Sequence, residues 1–127
     1  MMPMTKNSTC LPIQPIGVAR TTDDGETMFL EIDARYADAF LRVAEKQHLS
    51  ILYWMHELTD QQREILQVHP RGDRSVPLHG VFATRSPMRP NPIGVTRVEL
   101  LGVEGNRLLV KGLDARDGSP IIDIKSG

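Results

Sequence analysis

Three prolines fall within six residues, Pro87, Pro90 and Pro92, in the run His79 to Gly94 (H-G-V-F-A-T-R-S-P-M-R-P-N-P-I-G). Each proline fixes its own φ and removes a backbone donor. Each also drives the residue before it, Ser86, Arg89 or Asn91, toward extended backbone. The run opens on an apolar alternation that reads as a strand. Beyond it, neither a helix nor an inner strand is possible, and a stiff, shaped loop remains. That loop displays Thr84, Arg85, Ser86, Arg89 and Asn91. Rigid polar display of this kind is how a ligand site is pre-organised.

The rest of the chain bounds what such a loop can serve. A length of 127 residues fits one domain with one modest core. The net charge of −1 demands no nucleic-acid partner globally, so any nucleic-acid surface must be a local arginine patch. Arginines do gather in one region, at Arg71, Arg74, Arg85, Arg89 and Arg97. The lone Cys10 excludes an internal disulfide and fits a reducing compartment. No apolar run reaches bilayer length, and the first ten residues carry no hydrophobic signal core. A cytoplasmic protein with no membrane partner is expected.

Taken in order, residues 1–11 read as a flexible terminus and residues 12–127 as a single domain. Ile16 to Arg20 and Met28 to Asp33 read as short strands around the turn T-T-D-D-G-E. Ala37, Phe40, Leu41 and Ala44 recur at helical spacing, which predicts one helix from Asp33 or Ala34 to Gln47. Leu49 to His56 reads as the central buried strand, with Tyr53 and Trp54 as packing residues. Glu57 to Glu64 is a loop or one helical turn, and Ile65 to Val68 another short strand. Val95 to Val103 and Arg107 to Asp114 form the clearest hairpin, and Ile121 to Ile124 a last strand. Six or seven short strands with one helix predict a mainly-β fold, a small closed or nearly closed barrel.

Several chemistries are excluded or left open by the residues themselves. His48, His56, His69 and His79 match no standard zinc spacing, so no metal is expected. Ser86 lacks the G-x-S-x-G elbow of a serine hydrolase, and no G-x-G-x-x-G dinucleotide turn occurs. Arg71-Gly72-Asp73 matches a cell-adhesion tripeptide and reads here as a turn. Asp117-Gly118 is a turn and Asp114 a strand-end cap. Asp123 and Lys125 share one strand face at period two, either as a surface pair or as a clamp for a zwitterion. His48 either caps the preceding helix or projects into a barrel-mouth site.

Two runs carry more than composition. H-G-V-F-A-T-R-S-P-M-R-P-N-P-I-G-V-T and L-D-A-R-D-G-S-P-I-I-D-I-K, with P-I-G-V-A-R and V-H-P-R-G-D upstream, resemble the signature of the TsaA-like (YaeB-like) family. The resemblance runs from about Pro15 onward and fits the short, single-domain members. It implies a homodimeric β-barrel that binds S-adenosyl-L-methionine. The relatives it points to are tRNA methyltransferases, acting on the exocyclic nitrogen of a threonylcarbamoyl-modified adenosine. Carried over by position, cofactor contacts fall on Arg20, Thr21, Thr22, Gln47, His48, His79, Arg85, Arg89, Asn91, Asp123, Ile124 and Lys125. Asp123 and His48 are the candidate bases for the proton that an amide-like nitrogen must lose. Thr21-Thr22 replaces the Ser-Pro of relatives, and Ser119 the Thr of D-G-T-P. The sequence also stops at Lys125-Ser126-Gly127, without the C-terminal domain of longer members, a candidate for tRNA grip. The rival expectations are a cofactor- or nucleotide-binding sensor without catalysis, a methyltransferase with another acceptor, and a plain RNA-binding barrel.

Overall fold

The computed structural model describes residues 10–127. The expectation for the N-terminal segment therefore lies almost wholly outside the described residues. Among the described residues there are eight strands: β1 Gly17–Thr21, β2 Thr27–Ile32, β3 His48–Trp54, β4 Gln67–Val68, β5 His79–Gly80, β6 Ile93–Glu104, β7 Arg107–Lys111 and β8 Pro120–Ser126. Six of them close into an antiparallel barrel in the order β1-β2-β7-β6-β3-β8, while β4 and β5 pair separately. The expected closed barrel is what the chain forms.

Alternation explains the closure. Ala19, Leu30, Ile51, Leu108, Val110 and Ile121 are fully buried, and Val98 is 1% exposed, so every barrel strand places a side chain in one shared core. Each buried Leu, Ile or Val contributes about 1.5–3 kcal/mol by leaving water. Strand β3 alternates strictly: Leu49, Ile51 and Tyr53 point inward while His48, Ser50, Leu52 and Trp54 are half-exposed. Trp54 is thus an outer residue, with the Arg63 guanidinium 5.3 Å from its ring centre. The expected β6–β7 hairpin is present, turning on Gly105, whose φ of 61° only glycine adopts readily. Asp24 builds the β1–β2 turn. Its carboxylate accepts from the amides of Glu26 and Thr27 and from the hydroxyls of Thr22 and Thr27, which holds it far below the usual carboxylate range.

The single helix expected between β2 and β3 does not form. Residues Ala34–Phe40 and Val43–Glu45 are two 3-10 segments, broken at Arg42 with φ of 68°. β2 and β3 are not neighbours in the barrel, so their connection must cross one open end. Tyr36, Phe40 and Val43 pack against the core there, while Leu41 is 83% exposed. The apolar spacing reads as one α-helical stripe, but the barrel end takes only part of it. Packing overrides the periodicity.

Between β3 and β6 the chain leaves the barrel as an arm. It holds the short helix α1, Asp60–Arg63, with a reciprocal Thr59–Gln62 capping box. The β4–β5 ladder follows, ending in the proline loop. Among the described residues no helix is long and apolar enough to cross a membrane.

One seam in the barrel positions everything discussed below. β6 pairs with β3 from Ile93 to Glu99, but pairs with β7 only from Glu99 onward. The stretch Ile93–Val98 therefore has no strand on its other side. Tyr53, opposite Gly94, sends its ring across this gap, and its hydroxyl donates to the Asp114 carbonyl and meets the Thr96 hydroxyl at 3.3 Å. A Cβ on Gly94 would collide with Tyr53 Cζ, so no larger residue fits. Burial pushes the Tyr53 pKa up, and the Asp114 charge adds to this; the Thr96 bond and the Arg85 charge act the other way.

Two outcomes follow from the seam. Gly94→Ala should lose about 1–3 kcal/mol, the usual cost of overpacking, read as a lowered midpoint of thermal unfolding. An unchanged midpoint would show that the ring is not confined. The raised pKa of Tyr53 favours the protonated fold, so its stabilisation is complete below the ordinary tyrosine pKa of about 10 and is lost as pH rises through the folded value. Tyr53→Phe should therefore flatten the alkaline limb of a stability–pH curve; an identical limb would remove the seam bond from the account.

Candidate functional site

The proline loop is stiff for reasons beyond proline. The Ser86 amide donates to Thr84 Oγ1 at 3.1 Å, and the Met88 amide to Ser86 Oγ at 3.2 Å. Arg89 folds back over the loop. Its Nε donates to the Ser86 carbonyl at 2.7 Å, and its Nη2 to the carbonyls of Val81 and Thr84 at 2.8 and 2.7 Å. Through these bonds Arg89 holds the loop in one shape, which is a structural role. Asn91 is exposed and accepts from the Ile93 amide through its carbonyl. Ser86 is occupied in the same turn network.

The loop lies against the seam. Arg85 Nη1 donates to the Val95 carbonyl at 3.3 Å, on the half of β6 that lacks β7. Between the loop, the seam and the Asp114–Arg116 segment lies a groove of about 700 Å³. Tyr53, Gly94 and Thr96 line it, with the loop residues Arg85, Met88 and Arg89. His56 and Glu57, just past the end of β3, line it too, and Glu57 is 3.5 Å from Arg116. Buried Ser119 also lines it and donates its hydroxyl to the Arg116 carbonyl at 2.7 Å.

Arg20 and Thr21, at the end of β1, do not line this groove and meet instead the Asp117-Gly118 turn, which follows its lining residue Arg116 in sequence. Asp117 accepts from the Thr21 amide at 2.9 Å and lies 3.9 Å from Arg20 Nη1. A Cβ on Gly118 would lie 3.8 Å from Arg20 Nη1 and 4.0 Å from His56 Nε2, so those side chains bracket the Asp117-Gly118 turn. Asp117 is thus more than a turn residue, and Asp114 more than a strand-end cap. Thr22 belongs instead to the Asp24 turn, sharing its hydroxyl with Asp24 and Thr27.

The other expected residues lie elsewhere. Gln47 and His48 stand at the opposite end of β3, with His48 six residues from Trp54, or about 20 Å along a strand. The Gln47 carbonyl accepts from the Leu100 amide at 2.9 Å. Asp123 and Lys125 pair with outward-facing Leu52 and Ser50, and their charges meet each other at 3.3 Å on the exterior. Ile124 pairs with buried Ile51 and packs against the core. His79 lines a different groove on the arm, its Nδ1 2.7 Å from the Pro77 carbonyl. Neither candidate base, His48 nor Asp123, lines the seam groove. Its titratable groups include His56, Glu57, Tyr53 and Asp114. The residues missed in the sequence, His56, Glu57, Tyr53 and Arg116, come from separate segments that only the strand register assembles. One signal was available: His56 closes the strongest strand run and Glu57 directly follows it.

The fold is a closed β-barrel that carries, at one seam, a groove bordered by an arginine-bearing proline loop. The chain belongs to the tRNA-methyltransferase O N-terminal domain family, whose model matches residues 3–126. It is 43% identical over 125 residues to an S-adenosyl-L-methionine-binding protein of Archaeoglobus fulgidus, covering 89% of this chain and 86% of that one. It is 40% identical over 114 residues to a probable S-adenosyl-L-methionine-binding protein of Methanocaldococcus jannaschii, covering 89% of each. The crystal structure of TrmO from Pseudomonas aeruginosa superposes with a TM-score of 0.71 at 26% identity, over 94% of this chain. The chain spans 56% of that protein's length. The family expected from the two signature runs is the one found.

Arg89→Ala removes the donor from three loop carbonyls. Amide exchange at Ser86 and Met88 should then accelerate strongly while the barrel amide of Ile51 exchanges as before. Equal exchange at Ser86 and Met88 in both proteins would remove Arg89 from the role of loop lock.

Proposed function

We propose that this protein is an S-adenosyl-L-methionine-dependent methyltransferase acting on an adenosine of tRNA, with the cofactor in the seam groove. The observation that carries this reading is the groove's chemistry in a chain of this family. Arg85 has no carboxylate within 4.0 Å among the described residues and suits an amino-acid carboxylate. Glu57 and Asp114 suit an ammonium group or ribose hydroxyls. Met55, Leu58, Met88 and Ile93 offer apolar faces for a base. The volume lies within the about 300–1,000 Å³ usual for such sites. The donor set therefore fits the cofactor that the curated relatives are named for.

When bound, the cofactor supplies an electrophilic methyl group on a sulfonium. What remains for the chain is alignment of a nucleophile with that methyl, and exclusion of water. Arg85, braced on the Val95 carbonyl, would hold the cofactor's carboxylate. An exocyclic nitrogen with amide character must also lose a proton, and His56, Glu57 and Asp114 are groups lining the groove able to accept one. The acceptor implied by the resemblance is the threonylcarbamoyl-modified adenosine. A homodimer belongs to the same reading, supported by Leu66, Leu78 and Phe82 on the arm, 60%, 56% and 84% exposed.

Isothermal titration with S-adenosyl-L-methionine should show binding to the wild-type chain. Arg85→Ala should weaken it about 10- to 100-fold, the usual cost of losing a charge-assisted bond. Incubation with threonylcarbamoyl-modified tRNA and labelled cofactor, followed by nucleoside mass spectrometry, should then give one methylated adenosine. No binding by the wild-type chain would overturn the cofactor reading; binding without any labelled nucleoside would leave a sensor instead of an enzyme.

A further inference from the structure

A second groove, of about 970 Å³, lies on the arm beside the first. Its walls are β4, the Pro70–Gly72 turn, His79 and the outer side of the proline loop. Thr84, Arg85, Pro87 and Met88 line both grooves, so the two share the loop as a common wall.

Its electrostatics differ from those of the barrel surface. No aspartate or glutamate lines it, while Arg71, Arg74 and Arg85 do. Elsewhere Arg20, Arg35, Arg42, Arg107 and Arg116 each face a carboxylate within 4.0 Å. Among the described residues Arg71, Arg74 and Arg85 face none. The acid between the first two, Asp73, is turned to its own loop. It accepts from the Ser75 hydroxyl at 2.6 Å and the Ser75 amide at 2.9 Å, bonds that lower its pKa. Arg71 (φ 55°) and Gly72 (φ 70°) are successive left-handed residues, a conformation uncommon for the non-glycine Arg71, which is exposed. Beneath the cationic rim the floor is apolar, formed by Ile65, Val68, Val76 and Met88.

We propose that this arm groove holds single-stranded RNA next to the methyl acceptor, with phosphates on Arg71 and Arg74 and a base against the apolar floor. A rim of unpaired arginines over an apolar floor matches a strand that offers both charges and flat faces. The shared wall puts such a strand beside the cofactor groove, so a nucleotide leaving the arm can enter the seam. The proposal rests on the methyltransferase reading and assigns its RNA-facing side. The exposed Leu66, Leu78 and Phe82 lie outside this lining and offer a second copy of the chain a different face.

The test uses the full chain and a short fluorescein-labelled single-stranded RNA, with anisotropy read over a series of salt concentrations. The double variant Arg71→Gln, Arg74→Gln should bind at least about tenfold more weakly at low salt, and its log–log salt slope should be shallower by about 1.4, two phosphates at about 0.7 each. S-adenosyl-L-methionine titrated in parallel should bind both proteins equally, which shows that the variant is folded. Unchanged RNA affinity and slope, with cofactor binding intact, would overturn this groove assignment and leave the proposed function standing. Displacement of the RNA by polyglutamate at equal charge concentration would also overturn it, in favour of an acidic protein partner. If the wild-type chain takes no cofactor while its RNA binding depends on Arg71 and Arg74, the methyltransferase reading fails and the RNA groove stands.

Discussion

The bond from the Tyr53 hydroxyl to the Asp114 carbonyl is the constraint on which the site depends. A small antiparallel barrel cannot pair every strand along its full length. β6 spans Ile93–Glu104, and β7 accompanies only its far half. The near half therefore has backbone groups that face no partner strand. A side chain spans the gap instead. Gly94 supplies the space, Tyr53 the ring, and the Asp114 carbonyl the acceptor on the far side. Burial raises the pKa of this tyrosine and so favours the protonated hydroxyl that donates. The barrel is thereby sealed to its core but left concave outside, and that concavity is the groove.

The same seam determines what the proline loop is for. Arg85 caps the Val95 carbonyl, one of the acceptors that β7 leaves uncovered, and so satisfies the sheet while holding its charge between two grooves. Arg89, four residues on, does the opposite and directs its donors into the loop itself. Two arginines of one motif thus divide into a display residue and a lock. A lysine in place of Arg89 would be a poor substitute, because a single ammonium lacks the planar fork that reaches three carbonyls at once.

Much of the architecture was legible in the sequence. Strand alternation pointed to the barrel, Gly105 to the hairpin, and three prolines to the rigid loop. The segment from Asp33 to Gln47 misled because its apolar spacing is shared by α-helices and by a broken 3-10 plug, which only the distance across the barrel end separates. Trp54 misled in a similar way: inside an apolar run its face cannot be read, and the arm's Arg63 covers it from outside. The candidate groove was legible in part. Arg85 and Arg89 line it from the proline loop, whereas Arg20 and Thr21, at the end of β1, do not line it. His48 and Asp123 do not line it either, since one begins the strand that the groove ends, and the other faces outward beside its own salt-bridge partner. Glu57 and Arg116 could not have been paired from spacing alone. Their proximity depends on where β6 and β7 diverge, a fact of register.

Charge shows the same division between sum and place. A net charge of −1 argues against nucleic acid when read over the whole chain. Many of the acids, however, are engaged locally, in ion pairs with arginines outside the arm and in the Asp24 and Asp73 turns. Around the arm groove stands a set of arginines with no acid to answer them. At physiological ionic strength the Debye length is about 8 Å, so a strand lying on the loop responds to those arginines and hardly to the distant acids. For a polyanion approaching this face, the effective protein is basic.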